Sequence, residues 1–161
     1  MISAVDTNIL LDLLIPNAPY VEGSLACLSQ AAEVGSIIIG EIAFAELSSQ
    51  FPGQDDFMRF LSETMIQLAV SDERVLWEAG RVWKEYAKTK TRGTVCPVCG
   101  KSLSITCRSC KNPIRAPKHM ISDFLIGAHA RIFADQLITR DRGFYRKYFQ
   151  DLKILDPSRK S

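Results

Sequence analysis

The stretch ISAVDTNILLDLL, residues 2–14, closes a short apolar run with a carboxylate, Asp6, before an apolar helical pattern begins. The stretch LITRDRGFYRKYF, residues 137–149, does the same with Asp141 near the other end of the chain. Ligands of open α/β sheets collect beyond the carboxyl ends of their parallel strands. The two stretches therefore predict two strands of one sheet whose acids meet at a single edge.

Short β-branched runs alternate with amphipathic segments, which predicts an α/β fold with a parallel sheet flanked by helices on both faces. The strands are expected at residues 2–5, 36–39, 66–70, 137–139 and 152–155, and helices near 7–14, 20–33, 41–51, 55–63, 71–88 and from 122 onward. Ser71 is the expected N-cap of the helix at 71–88. One buried stripe on that helix is predicted to contain Val75, Leu76, Ala79, Val82, Trp83 and Tyr86.

Bulk composition is that of one soluble domain, with 161 residues and 47% hydrophobic content. No apolar run approaches the roughly 20 residues of a membrane span. The N-terminal MISAVD lacks a basic flank and a long apolar core, so a secretory signal is not expected. These features predict a cytoplasmic protein without a membrane partner.

The charge is divided unevenly along the chain. Residues 88–118 carry eight Lys or Arg and no acid, whereas the rest carries twelve bases and eighteen acids. A basic segment of this kind favours a polyanionic partner such as nucleic acid over an ordinary solvated surface.

Four acids stand out: Asp6 and Asp141 at strand ends, and Glu46 and Asp123 within largely apolar helices. Singly, each has an ordinary explanation as a cap, a turn residue or a solvated helix position. Together, clustered carboxylates in apolar surroundings are costly unless they bind a cation. Mg²⁺ or Mn²⁺ held by a few carboxylates and waters is the usual arrangement for phosphate chemistry.

The segments VDTNILLDLL (5–14), AELSSQF (45–51), SDFLIGAHA (122–130) and LITRDRGFY (137–145) resemble, in order, the four motifs of PIN-domain nucleases. The resemblance is nearest to the VapC-type toxins of toxin–antitoxin pairs. It implies a three-layer α/β/α fold, a catalytic Mg²⁺ or Mn²⁺, RNA cleavage, a homodimer and a small antitoxin partner.

Residue by residue, the resemblance assigns Asp6, Glu46, Asp123 and Asp141 as the catalytic acids. Asp6 and Asp123 are expected to hold the metal. Glu46 and Asp141 are expected to complete the site or to bind the metal through water. Asn8 and Thr139 match polar positions that help to orient the first acid and the metal or its water. Glu41 competes with Glu46, but five residues is about 140° round a helix, so both are not expected at one site. Asp12 is expected on the surface.

Two C-x-x-C pairs lie in the basic segment, and their members are Cys96, Cys99, Cys107 and Cys110. Four thiolates at this spacing predict a closed structural zinc site. Two disulfides are one alternative, which a cytoplasmic compartment disfavours, and a redox C-x-x-C is another, which the duplication of the pair disfavours. Cys27, outside the segment, is expected to be a buried helix residue, and His129 a structural one.

The cysteines define a zinc-ribbon insertion at residues 91–117 within a PIN-like domain of residues 1–90 and 118–161. The ribbon is predicted to guide RNA to the acids, with a protein partner as the alternative. Its RNA-contact candidates are Lys101, Arg108, Lys111, Arg115 and Lys118. Two other functions stay open, a PIN nuclease of RNA maturation and a non-catalytic RNA-binding protein.

Overall fold

A computed structural model describes residues 1–15, 19–89, 94–95, 102–103, 105–114 and 120–157. Within these residues a five-stranded parallel sheet forms the centre of the molecule, in the order β3-β2-β1-β8-β9. Its strands are β1 Ile2–Val5, β2 Ser36–Ile39, β3 Ile66–Leu68, β8 Gln136–Ile138 and β9 Ile154–Leu155. The predicted α/β class with a parallel central sheet is confirmed.

The helices of the described residues are α1 Thr7–Leu14, α2 Val21–Val34, α3 Glu41–Ser48, α4 Gln54–Thr64, α5 Glu73–Thr89, α6 Ile121–Phe133 and α7 Arg142–Tyr148. Each predicted helix is present with its ends within a few residues of the expected ones. Helix α7 was not foreseen as a helix, because its seven residues are too few to show an apolar period.

Two apolar clusters cover the two faces of the sheet. Alternation along the strands separates them, since Ala4 and Leu137 belong to one cluster and their neighbours Val5 and Ile138 to the other. The first cluster is filled mainly from α5, α6 and α7, and the second from α1, α2, α3 and α4. This arrangement gives three layers, α/β/α.

Two details of α5 differ from the expectation. Ser71 does not cap the helix, because its amide and hydroxyl both donate to the carboxylate of Glu41, at 2.8 and 2.7 Å. Asp72 takes the capping role, and its Oδ1 accepts from the amides of Arg74 and Val75 at 3.0 and 3.2 Å. Leu76, expected in the buried stripe, is 56% exposed, because α6 covers the face of α5 on which Val75, Ala79 and Val82 lie.

Residues 94–114 contain two short antiparallel hairpins with the same register. Strand β4 (Thr94–Val95) pairs with β5 (Ser102–Leu103), and β6 (Ile105–Thr106) pairs with β7 (Pro113–Ile114). Six residues connect the paired strand ends in each hairpin, and a cysteine follows the first strand directly in both. The second hairpin thus repeats the first after a shift of eleven residues.

No helix in the described part of the chain is long and apolar enough to cross a membrane.

Candidate active site

Asp6 and Thr139 come together because β1 and β8 are parallel neighbours. Val5 pairs with Ile138 in the register, so the residues that follow each strand leave the sheet side by side. Thr139 Oγ1 donates to Asp6 Oδ2 at 2.6 Å, and Asn8 Nδ2 donates to the same oxygen at 2.7 Å. Both polar residues predicted to orient the first acid therefore contact its carboxylate.

An open cavity of about 470 Å³ lies at this carboxyl edge of the sheet. It is lined by Asp6, Thr7, Asn8, Leu11, Glu46, Ser49, Gln50, Asp123, Asp141 and Tyr145. All four predicted acids are in that set, although they come from the junction of β1 and α1, from α3, from α6 and from the loop after β8. The structure thus brings the candidates together, while their catalytic role remains a prediction.

Asp6 is the most enclosed of the four acids, with 7% of its surface exposed. Burial raises the pKa of its carboxyl above the ordinary value, since a charge in an apolar medium loses hydration. Hydrogen bonds from Thr139, the Asn8 backbone and Tyr145 oppose this rise in pKa, and the charge of Asp123 adds to it. Among the described residues no Lys or Arg forms an ion pair with Asp6.

Asp123 and Asp141 also fulfil the ordinary roles considered for them. Asp123 lies in the first turn of α6 and accepts from the Met120 amide at 2.9 Å. Asp141 is the N-cap of α7 and accepts from the Phe144 amide at 3.1 Å. One oxygen of each carboxylate is used in this way, and capping fixes the direction in which the carboxyl group points. Capping and lining the cavity are therefore compatible.

Glu46 rather than Glu41 lies at the cavity. The amide and hydroxyl of Ser71 hydrogen-bond to the Glu41 carboxylate, which does not line the cavity. Burial acts to raise the pKa of Glu41, but these hydrogen bonds and one from its own backbone outweigh it and lower the pKa. Glu46 accepts from Thr7 Oγ1 at 2.5 Å. The expectation of apolar surroundings for Glu46 is wrong, because the side chain is exposed while Ala43 and Leu47 take the buried face of α3.

Thr7 and Tyr145 are cavity residues that the sequence reading missed. Thr7 directly follows Asp6, and a hydroxyl next to a candidate acid was the available signal. Tyr145 is 1% exposed, and its hydroxyl donates to Asp6 Oδ2 at 3.4 Å. Burial, followed by the charges of Asp6, Asp123 and Asp141, raises the pKa of the Tyr145 hydroxyl well above its usual range. Its position four residues after Asp141 was a weaker signal, since α7 itself was not predicted.

Asp12 is buried, with 4% of its surface exposed, which corrects its expected surface position. Four residues are little more than one helical turn, so Asp12 lies nearly above Asn8 on the covered face of α1. Its Oδ1 accepts from Arg140 Nη2 at 2.9 Å and its Oδ2 from Ser24 Oγ at 2.7 Å. Asp12 does not line the cavity.

The described residues of the cavity do not form a closed cage for a metal ion. No three His, Cys, Asp or Glu side chains of the described residues already stand in a ligating arrangement. Mg²⁺ keeps several of its waters and uses only one or two carboxylates in most protein sites. The buried Asp6 together with an open cavity of carboxylate oxygens therefore fits such an ion, and the hard oxygen donors favour Mg²⁺ or Mn²⁺.

A larger open groove, of about 660 Å³, lies elsewhere, between α5 and α6. It contains the exposed Trp77 and an ion-pair network in which Arg131 bridges Glu78 and Asp151, at 2.6 and 2.9 Å. Glu78 and Asp151 are already paired with Arg131, and Arg74 adds a second positive charge to the lining, so most of the negative charge of this groove is compensated.

The cysteine site lies partly outside the described residues, since Cys96 and Cys99 are not among them. Cys107 and Cys110 are described and carry free thiols. Backbone amides of Cys110 and Ser109, and the Cys110 side chain, hydrogen-bond to the Cys107 thiol and lower its pKa. Cys27 is buried in α2, and His129 is buried with Nε2 2.7 Å from the Ala69 carbonyl oxygen, as predicted for both.

No model of a known protein family matches the chain, and no curated protein sequence does. Solved structures do match. The chain is similar to a chain of VapBC2 from Rickettsia felis bound to a promoter DNA fragment, with a TM-score of 0.62 and 17% identity. The match covers 97% of this chain and 98% of the other. The match to VapBC-1 from nontypeable Haemophilus influenzae has a TM-score of 0.60 and 19% identity, over 99% and 100%. A toxin–antitoxin complex from Klebsiella pneumoniae contains a chain that matches with a TM-score of 0.55 and 18% identity, over 98% of this chain and 99% of the other.

The chain has the fold of a chain from toxin–antitoxin complexes. At these identities the likeness establishes the fold, and this agrees with the three-layer arrangement implied by the four motifs.

Proposed function

We propose that the chain is a Mg²⁺- or Mn²⁺-dependent endoribonuclease of the VapC type. The observation that carries this proposal is the cavity in which Asp6, Glu46, Asp123 and Asp141 converge from four separate elements. A protein that only binds RNA gains nothing from four carboxylates facing phosphate, because they repel it. A nuclease gains a cation site.

Asp6 and Asp123 would hold the ion, and Glu46 and Asp141 would complete the site or act through water. When bound, the ion would polarise the scissile phosphate and lower the pKa of a coordinated water. Thr139 and Asn8 hold one oxygen of Asp6 and leave the other for the ion. Hydrolysis without use of the 2′-hydroxyl would leave 5′-phosphate and 3′-hydroxyl ends.

To test this proposal, the purified protein is incubated with structured and single-stranded RNAs in the presence of Mg²⁺, Mn²⁺ or EDTA, and RNA cleavage is measured. Cleavage is expected with either ion and not with EDTA. Removal of an outer-shell partner costs about 10–100-fold in metal affinity or activity, so Asp6→Asn is expected to lose at least about 100-fold. Glu46→Gln should lose activity and Glu41→Gln should keep it, since Glu41 lies outside the cavity.

Equal activities for Glu46→Gln and Glu41→Gln would contradict the assignment of Glu46. If the wild type bound RNA in EDTA and cleaved none under any condition, the result would support a non-catalytic RNA-binding protein instead of a nuclease.

A structural zinc ion in the inserted segment is the second part of the proposal. Support comes from the repeated hairpins. Cys107 follows the first strand of its hairpin as Cys96 follows the first strand of the other, and Cys110 and Cys99 come at the same spacing after them in the sequence. In the second hairpin the Lys111 amide donates to the Cys107 carbonyl at 2.9 Å, and Lys111 has a φ of 61°. In the sequence, Gly100 occupies the matching position after Cys99, and glycine is the residue type that adopts a left-handed conformation without a steric cost. Four thiolates from two such turns would form a closed tetrahedral site.

The basic face of this zinc ribbon is proposed to contact the RNA backbone. Arg108 and Lys111 are exposed in the second hairpin, whereas Lys101, Arg115 and Lys118 lie outside the described residues. Positive charge here would attract a phosphate chain toward a cavity whose own charge is negative.

A small antitoxin and a homodimer are the partners proposed from the likeness to VapBC complexes. Induced expression in a bacterial host should arrest growth, and co-expression of a cognate antitoxin, sought as a small gene immediately upstream, should relieve the arrest. Arrest should be absent for Asp6→Asn. Absence of growth arrest by an active wild-type nuclease would favour a role in RNA maturation.

A further inference from the structure

Arg140 stands between two candidate site residues, Thr139 and Asp141, yet its side chain does not line the acidic cavity. The guanidinium turns toward α1, where Nη2 donates to Asp12 Oδ1 at 2.9 Å and to the Asn8 carbonyl oxygen at 3.1 Å. The Arg140 amide donates to Asn8 Oδ1 at 3.3 Å. Three contacts thus tie the loop after β8 to the first helix.

Asp12 connects this loop to a third segment. Its second oxygen accepts from the hydroxyl of Ser24, a fully buried residue of α2. The Arg140 guanidinium also lies over the Tyr20 ring, 4.5 Å from its centroid, just before α2 begins. Both ends of the ion pair are therefore anchored, and α1, α2 and the loop share one set of polar contacts.

The energetics argue against a purely stabilising role. Burying an ion pair is often no better for stability than apolar residues of the same volume. Here the Arg140 Nε is buried and has no hydrogen-bond partner among the described residues, which adds a further cost. A costly pair at this position calls for another explanation.

Asn8 connects the ion pair to the acids. Its backbone and its side-chain oxygen are held by Arg140, which leaves Nδ2 to donate to Asp6 Oδ2 at 2.7 Å and to Thr139 Oγ1 at 3.2 Å. Thr139 Oγ1 in turn accepts from the Asp141 amide at 3.0 Å. A shift of Arg140 would therefore move Asn8, Asp6 and Asp141 relative to one another.

We propose that Asp12 and Arg140 are a positioning pair for the divalent-cation site. They hold Asn8 and the loop after β8 so that Asp6 and Asp141 present their free oxygens to one ion. Asp12 neutralises the arginine and turns it away from the cavity, where it would otherwise compete with the cation for the carboxylates. The inference rests on the proposed metal-dependent function.

The test measures Mn²⁺ binding by calorimetry and unfolding temperature on the same samples, with no RNA present. Outer-shell partners of metal ligands typically contribute 10–100-fold to affinity, so Arg140→Met and Asp12→Asn should each weaken Mn²⁺ binding by about 10-fold or more. Because the residues act as a pair, the double variant should lose no more than either single variant. Arg140→Lys keeps the charge but loses the forked arrangement of N–H donors, so its Mn²⁺ affinity should lie between those of the wild type and Arg140→Met.

Arg131→Met is the matched control. Arg131 also bridges acids and has 32% of its side chain exposed, against 30% for Arg140, but it lies in the α5–α6 groove away from the cavity. Its loss should leave the Mn²⁺ dissociation constant within about twofold, as expected for a distant site.

Unchanged Mn²⁺ affinity in Arg140→Met and Arg140→Lys would overturn the positioning role, whatever happens to their unfolding temperatures. An equal loss of affinity in Arg131→Met would overturn it as well, because the effect would then be general. Failure of the wild type to bind Mn²⁺ would instead overturn the proposed function on which the inference rests.

Discussion

At the scale of single residues, Asp6 is distinguished from the other acids by its burial. Its pKa is raised from an ordinary value of 3.8, chiefly by desolvation. Just above pH 3.8 the folded protein still holds a proton at Asp6 that the unfolded chain has released. The free energy of unfolding therefore falls as pH rises through this window and stays lower once Asp6 is ionised in both states. Without a cation, ionised Asp6 destabilises the fold.

Asp6→Asn should accordingly raise the unfolding temperature at pH 7 in EDTA. A gain of about 1 kcal/mol would correspond to about 2–4 °C for a domain of this size. The amide oxygen can take the place of Oδ2, where Asn8, Thr139 and Tyr145 donate. Well below pH 3.8, where Asp6 is protonated in both the folded and the unfolded state, the gain should disappear. Calorimetry at the two pH values measures it.

Asp141→Asn is the comparison, because Asp141 is exposed and asparagine caps a helix as well as aspartate. Its unfolding temperature should change little. A lower unfolding temperature for Asp6→Asn at pH 7 would show that Asp6 is not a destabilising charge. Mg²⁺ should raise the unfolding temperature of the wild type and not that of Asp6→Asn.

At the scale of elements, α6 determines where Asp123 stands, and its packing depends on one glycine. A Cβ placed on Gly127 would lie 2.4 and 2.7 Å from ring atoms of Phe149, a fully buried residue at the end of α7. The helix can approach α7 this closely only without a side chain. Phe124 and Ala128 are fully buried on either side of Gly127, but the local sequence pattern gives no reason for a glycine between them.

Gly127→Ala should therefore destabilise the protein by about 1–3 kcal/mol through overpacking, and shift Asp123 at the other end of α6. Gly80→Ala in α5 is the control, since a Cβ there meets nothing within 4 Å. It should stabilise by about 0.5–1 kcal/mol, the usual gain of alanine over glycine in a helix. Urea unfolding of both variants gives the comparison. A stable Gly127→Ala variant would mean that Phe149 can move aside.

At the scale of the whole molecule, the chain separates positive charge from negative charge. Eight bases lie in residues 88–118, and the acidic cavity is built from residues outside that segment. In the proposed nuclease the segment would attract the polyanionic substrate, which the cavity alone would repel, and the acids at the sheet edge would cleave it. The segment can perform that role only if its cysteines hold it in shape, because its strands are two residues long in the described hairpins.

We therefore expect one zinc ion per chain in the purified protein, measured by elemental mass spectrometry. Cys107→Ser should lose the zinc and weaken RNA binding, and it should flatten the salt dependence of binding, because fewer phosphates would be neutralised. Cys27→Ala is the control, since Cys27 is a buried residue of α2 and should retain the full zinc content. Full zinc content in Cys107→Ser would contradict the four-cysteine site.

The sequence alone determined the α/β class, the parallel sheet and the set of candidate acids. The class and the sheet depend on local periodicity, and Asp6 and Asp141 stand out because they follow strands. The assignment of all four acids came from the resemblance to the motifs of PIN-domain nucleases. Asp6 and Asp141 were predicted to meet because parallel strands end at one edge, and in the structure they line one cavity.

Only the tertiary structure decided which polar residues are buried together. Periodicity shows that two residues share a helix face, but a segment distant in sequence decides whether that face is covered. Asp12 is buried because Ser24 and Arg140 close over it, and Leu76 is exposed because α6 covers another face of α5. Glu41 lies outside the cavity because Ser71, thirty residues away, binds its carboxylate. Each of these outcomes depends on contacts between segments far apart in the chain, which a local pattern does not encode.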